Sequence, residues 1–71
     1  MSILKEQREK LGLDVKTIAQ RLGTTNIAVY QYEQGKRFPH ATMMYDFQQA
    51  YEMSDELFMK YIKSIRKENN K

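Results

Sequence analysis

The stretch "GTTNIAVYQYEQGK", residues 23–36, decides how the rest of the chain reads. Thr25 is a good helix N-cap, because its hydroxyl can accept from a free amide in the first turn. Gly35 is a good stop. Between them Val29 and Tyr32 are spaced to face a core. Ile27 falls on the opposite side of the same helix, where water is expected. An isoleucine there needs a reason.

The residues just upstream set the frame. Asp14 is a second N-cap, and Val15, Ile18, Ala19 and Leu22 follow it at i, i+3, i+4 and i+7, one apolar stripe of a helix over 15–22. Gly23 fits the left-handed residue that ends it. Only "GTT" links this helix to the next, over roughly 26–34, and so short a link forces two helices to cross sharply. Ala19 is small where they touch, Val29 fills the gap between them, and Ile18, Leu22 and Tyr32 complete a shared core. The pattern fits a helix-turn-helix over 15–34.

Helical spacing continues on both sides. Residues 2–11 form a first helix, with Ile3, Leu4 and Leu11 apolar and Gly12 ending it. "KRFPH" at 36–40 is a loop, because Pro39 cannot continue a helix and restricts Phe38. A fourth helix fits 41–51, with Met43, Met44, Phe47, Ala50 and Tyr51 inward, and His40 at its start. Ser54 caps a fifth, with Asp55 and Glu56 in its first turn, where the helix dipole favours acids. Strand alternation is nowhere sustained. The expectation is an all-α chain with one small domain.

Composition excludes several classes. With no cysteine and one histidine, neither a disulfide framework nor a zinc site is expected. The carboxylates Asp46, Glu52, Asp55 and Glu56 suit exposed helix faces and a cap. No nucleophile, base or glycine-rich phosphate loop accompanies them, so no enzyme and no cofactor is expected. "MSILKEQREK" is charged within its first five residues, and no long apolar run follows, so the expected setting is the cytoplasm. The net charge of +3 is unevenly placed. Lys16, Arg21, Lys36 and Arg37 face Glu33 alone over 16–40, whereas 41–58 carries only acids and 59–71 is again basic. Clustered positive charge is a footprint for polyanions.

With "IAQRLGTT" at 18–25, "YEQGKRFP" at 32–39, "MSDELF" at 53–58 and Arg8 in the first helix, the chain resembles the phage-repressor and Cro-like (XRE-type) helix-turn-helix domains. The resemblance covers about residues 3–58. It implies a compact, five-helix, lambda-repressor-like fold, with a helix-turn-helix DNA-binding domain over 1–58 and a C-terminal helical extension with a basic tail over 59–71. It also implies a structural ion pair between Arg8 and Glu33. Such domains often carry a phosphate-binding glutamine directly after the second helix's cap. Here that position is Val15, so the docking angle does not carry over.

The isoleucine now has a setting. At about 100° per residue, Ile27, Tyr30, Gln31 and Gln34 lie opposite Val29, with Asn26 on the flank. That face bears no charge, although an ordinary solvated helix face carries Lys and Glu. Amides pair bidentately with adenine in the major groove, and an apolar side chain rests on a thymine methyl. The resemblance implies the same use of this helix. Asn26, Ile27, Tyr30 and Gln31 are the expected base readers. Thr25, Lys36, Arg37 and Lys16 are the expected phosphate anchors, since backbone contacts set register. The expected partner is double-stranded DNA, read by a transcriptional repressor.

The tail "FMKYIKSIRKENNK" carries a further stripe, Phe58, Tyr61, Ile62 and Ile65. Either it packs on its own domain, or it joins two copies into a homodimer on an inverted repeat, as the resemblance implies. The dimer is the expectation. A competing reading keeps the fold but binds a partner regulator through the Ile27/Tyr30 face or the tail.

Overall fold

The computed structural model describes the backbone of residues 2–69 and the side chains of residues 2–65. All regular structure among them is helical: α1 Ile3–Lys10, α2 Val15–Leu22, α3 Asn26–Glu33, a 3-10 turn Ala41–Met43, α4 Met44–Ala50 and α5 Asp55–Asn69. The fourth helix is therefore shorter than the 41–51 expected, because its first three residues wind as the tighter 3-10 form. His40 stands at the entry to that turn.

The starts of α1, α2, α3 and α5 are set locally. Ser2, Asp14, Thr25 and Ser54 accept from the amides of Lys5, Thr17, Ala28 and Leu57 at 3.1, 2.8, 3.1 and 3.1 Å. These bonds satisfy amides that the first helical turn leaves without partners. The ends follow one rule too. At Gly23 the backbone turns left-handed, φ 67°, its amide donates to Gln20 O at 3.3 Å, and Thr24 N donates to Ala19 O at 2.9 Å. That is a Schellman closure, and it is what makes the link between α2 and α3 so short.

α4 closes the same way without a glycine. Glu52 N donates to Gln49 O and Met53 N to Gln48 O, at 3.1 and 2.9 Å, with Glu52 itself at φ 49°. Side chains from two other helices hold this strained corner. Gln7 Nε2 donates to the carbonyls of Tyr51 and Glu52 at 3.1 and 3.3 Å. Arg21 Nη1 donates to Ala50 O at 2.9 Å and pairs with Glu52 at 2.8 Å. Arg21, counted above with the basic cluster, thus serves the fold.

One core unites all five helices. Leu4 comes from α1, Val15, Ile18 and Ala19 from α2, Ala28, Val29 and Tyr32 from α3, and Phe47 and Ala50 from α4. Tyr51 and Met53 join them from the α4–α5 link. Phe47 sits at the centre: the Tyr32 ring meets it edge-on at 4.8 Å, and Tyr51 stacks at 6.2 Å. α5 closes the core with Tyr61 and Ile65, only 5% and 7% exposed.

That last fact corrects the expectation for the tail. Two of the four residues assigned to a dimer contact, Tyr61 and Ile65, are spent inside the chain's own core. α5 also runs unbroken through the expected boundary at 58/59. The reason is geometric: α5 is long enough for its apolar stripe to lie back across the domain. Phe58 is partly buried against the same core, and Ile62 is half covered.

A Cβ added at Gly23 would meet nothing within 4 Å, so the constraint there is φ and not space. Gly23→Ala is expected to cost about 1–2 kcal/mol, read as a lower urea midpoint. Glu52→Gly removes the same strain along with an exposed ion pair. Its stability should stay within about 1 kcal/mol of the parent.

Candidate nucleic-acid interface

α3 has one buried face and one exposed face that carries no charge. Its inner arc, Ala28, Val29, Tyr32 and Glu33, is buried. At about 100° per residue these four span one continuous sector. The complementary sector holds Asn26, Tyr30, Gln34 and Ile27, all exposed, with Gln31 half covered at its edge. Ile27 is 70% exposed and Tyr30 50%. The isoleucine is on the outside, and nothing in its own chain covers it.

The orientation of that face is set from below. Glu33, the last residue of α3 and the buried charged group of the core, is 7% exposed. Arg8 grips its carboxylate with both arms of the guanidinium, Nε to Oε2 at 2.9 Å and Nη2 to Oε1 at 3.1 Å. Arg8 Nη1 also donates to Leu13 O at 3.1 Å, which ties in the α1–α2 link. Tyr51 donates its hydroxyl to Glu33 Oε2 at 2.9 Å. Arg8 and Glu33 were expected as a pair. Tyr51 was read only as an inward residue of the fourth helix, because nothing in spacing says which buried hydroxyl meets which carboxylate.

The electrostatics follow. The bonds to Glu33 raise the Arg8 guanidinium further above its ordinary range, against the opposing effect of burial. Burial pushes the Tyr51 phenol well above its usual value of 10.0, and the neighbouring Glu33 carboxylate adds to the shift.

The four residues expected as phosphate anchors are all exposed. Thr25 accepts from Ala28 N with one lone pair of its hydroxyl oxygen, and the residue is exposed. Lys36 and Arg37 are exposed just past the end of α3. Arg37 is not loose: its guanidinium carbon lies 5.2 Å from the centre of the Tyr32 ring. Lys16 is exposed in the first turn of α2, while Val15 beside it is buried in the core. The N-terminus of α2 is occupied by Asp14, whose carboxylate takes both the hydroxyl and the amide of Thr17, at 2.7 and 2.8 Å. Those two bonds, the hydroxyl's first, hold its pKa below the usual carboxylate range.

Two stacked helices joined by a Schellman turn, the second presenting a bare outer face, make a recognisable unit. A family model for a helix-turn-helix domain matches residues 3–58. The chain belongs to the helix-turn-helix domain family. No curated protein and no solved structure matches it.

In this helix-turn-helix domain no group of three or more His, Cys, Asp or Glu among the described residues is placed to hold a metal ion. No helix among them is long and apolar enough to cross a membrane. One concavity among the described residues runs between α1, the end of α3 and α5, and is lined by Ile3, Gln34, Phe38 and Ser64.

Removing one partner of the buried pair leaves an uncompensated charge. Arg8→Met is expected to cost about 3–5 kcal/mol, a large share of the roughly 4–11 kcal/mol available to a domain of this size. Arg21→Met breaks an exposed pair and should cost well under that, which guanidinium unfolding of both variants would test. The raised phenol of Tyr51 supplies a pH signature. An acid whose folded pKa is raised holds its stabilising effect below its unfolded value and loses it as pH climbs towards the folded one. Stability should therefore decline above about pH 10, and Tyr51→Phe should flatten that decline in a pH series of urea midpoints.

Proposed function

We propose that this helix-turn-helix domain is a sequence-specific, double-stranded DNA-binding transcriptional regulator, acting as a repressor in the cytoplasm. α3 enters the major groove. Asn26, Ile27, Tyr30 and Gln31 meet base edges, and Thr25, Lys36, Arg37 and Lys16 hold the backbone. The observation that carries this reading is the outer face of α3: uncharged, open, and bearing a 70% exposed isoleucine between amides. A single exposed apolar residue is ordinary on a protein surface. In the second helix of this motif, with Lys36 and Arg37 just past its end, it has a use.

The regulator works as a homodimer on an inverted repeat, with half-sites about one DNA turn, ~34 Å, apart. With Tyr61 and Ile65 committed to the core, the surface left for a second copy on α5 is Phe58, Ile62 and the exposed Met59. The same open Ile27/Tyr30 face also supports a second reading, a domain that docks on a partner regulator. The two differ in their response to salt.

Binding to a selected duplex should weaken steeply as salt rises, with a log–log slope near −0.9 per phosphate contact. Lys36→Ala and Arg37→Ala should each make that slope shallower by about one, without changing which sequence is preferred. Asn26→Ala and Gln31→Ala should each lose about 1–3 kcal/mol of specific over non-specific affinity. Fluorescence anisotropy over a salt series reads all of these. A salt-insensitive complex with protein and none with DNA would replace this reading with the second.

A further inference from the structure

The outer face of α3 is notable for what the fold keeps away from it. Guanine is read by an arginine or a lysine at O6 and N7, and cytosine by a carboxylate accepting from N4. α3 itself carries neither cation: Lys16 stands on α2, and Lys36 past the end of α3. The described arginines each have other work. Arg8 is locked on Glu33, Arg21 on Ala50 O and Glu52, and Arg37 lies over the Tyr32 ring beyond the end of the helix. Glu33, the carboxylate of α3, is buried in the core and is held by Arg8 and Tyr51. What remains outward is two kinds of chemistry, the amides of Asn26, Gln31 and Gln34, and the exposed apolar surface of Ile27 with the ring of Tyr30.

Resting on the DNA-binding reading above, we propose that this face selects an A·T core in each half-site, with thymine C5-methyl groups seated on Ile27. The amides supply the adenine half of the discrimination, through N6 and N7. Ile27 supplies the thymine half, through the one group by which thymine differs from uracil. It stands in the first turn of α3, two residues after the Thr25 cap. A phosphate anchor at Thr25 therefore brings Ile27 close to the groove floor. No polar group on Ile27 competes for water, so covering it against a methyl gains apolar burial without stranding a hydrogen bond.

The test uses the whole chain and two steps. A selection from random duplexes gives the preferred site. That duplex is then remade with deoxyuridine at each core thymine in turn. Seating one methyl is worth about one buried CH2, so its loss should weaken wild-type binding about fourfold at the position under Ile27. In Ile27→Ala, whose side chain is exposed and outside the core, the same replacement should have almost no effect. An enriched A·T core with that pattern supports the proposal. Tight, salt-dependent binding to a G·C core, or indifference to deoxyuridine throughout, overturns it while leaving the DNA-binding reading in place. If no duplex is enriched and low-salt binding is also absent, both fall together.

Discussion

Everything in this fold is referred to one buried carboxylate. Glu33 ends α3, and it receives two bonds from Arg8 on α1 and one from Tyr51 at the end of α4. A charge in an apolar interior is tolerable only when its partners are complete and well placed. That requirement gives the contact its geometric authority. The three helices cannot slide or rotate past one another without leaving an ion or a phenol unpaired. Apolar packing around Phe47 supplies bulk attraction without direction, whereas the Arg8–Glu33–Tyr51 contact supplies orientation.

The functional consequence sits on the other side of the same helix. Turning Glu33, Tyr32, Val29 and Ala28 inward obliges Ile27, Tyr30 and Asn26 to face out. The position of the exposed isoleucine is thus set by contacts on the other face of its helix. On the proposed DNA-binding reading this matters, because a side chain on an unordered backbone must lose more freedom on binding. The residues proposed as phosphate anchors follow the same logic: Thr25 is fixed by capping α3, and Arg37 rests on a core aromatic, so the fold restrains both side chains before any partner binds.

Much of this was legible in the sequence for local reasons. Caps at Asp14, Thr25 and Ser54 and the stop at Gly23 depend on residues within one helical turn, and each was found where its side chain permits it. The arc opposite Val29 was also readable, since helical period alone divides α3 into two faces. Other features escaped because they join distant residues. Arg21 counted as a free cation until α4 came within reach of it. Tyr51 was inward-facing but had no assigned partner. Glu52 takes up a left-handed backbone that no residue preference announces, held there by Gln7 and Arg21 from elsewhere in the chain.

The C-terminal helix marks the division most clearly. Sequence by itself determined that residues after Ser54 form an amphipathic helix with an apolar stripe, because periodicity and capping are short-range properties of the chain. It also determined the helix-turn-helix and the uncharged composition of the outer face. Only the tertiary structure decided what the stripe covers. Tyr61 and Ile65 turn out to seal the domain's own core, while Ile27 stays open to solvent. Apolar residues at helical spacing look alike in a sequence. Whether each is covered by its own chain depends on where every other helix lies, and that is settled by packing around Phe47 and Glu33.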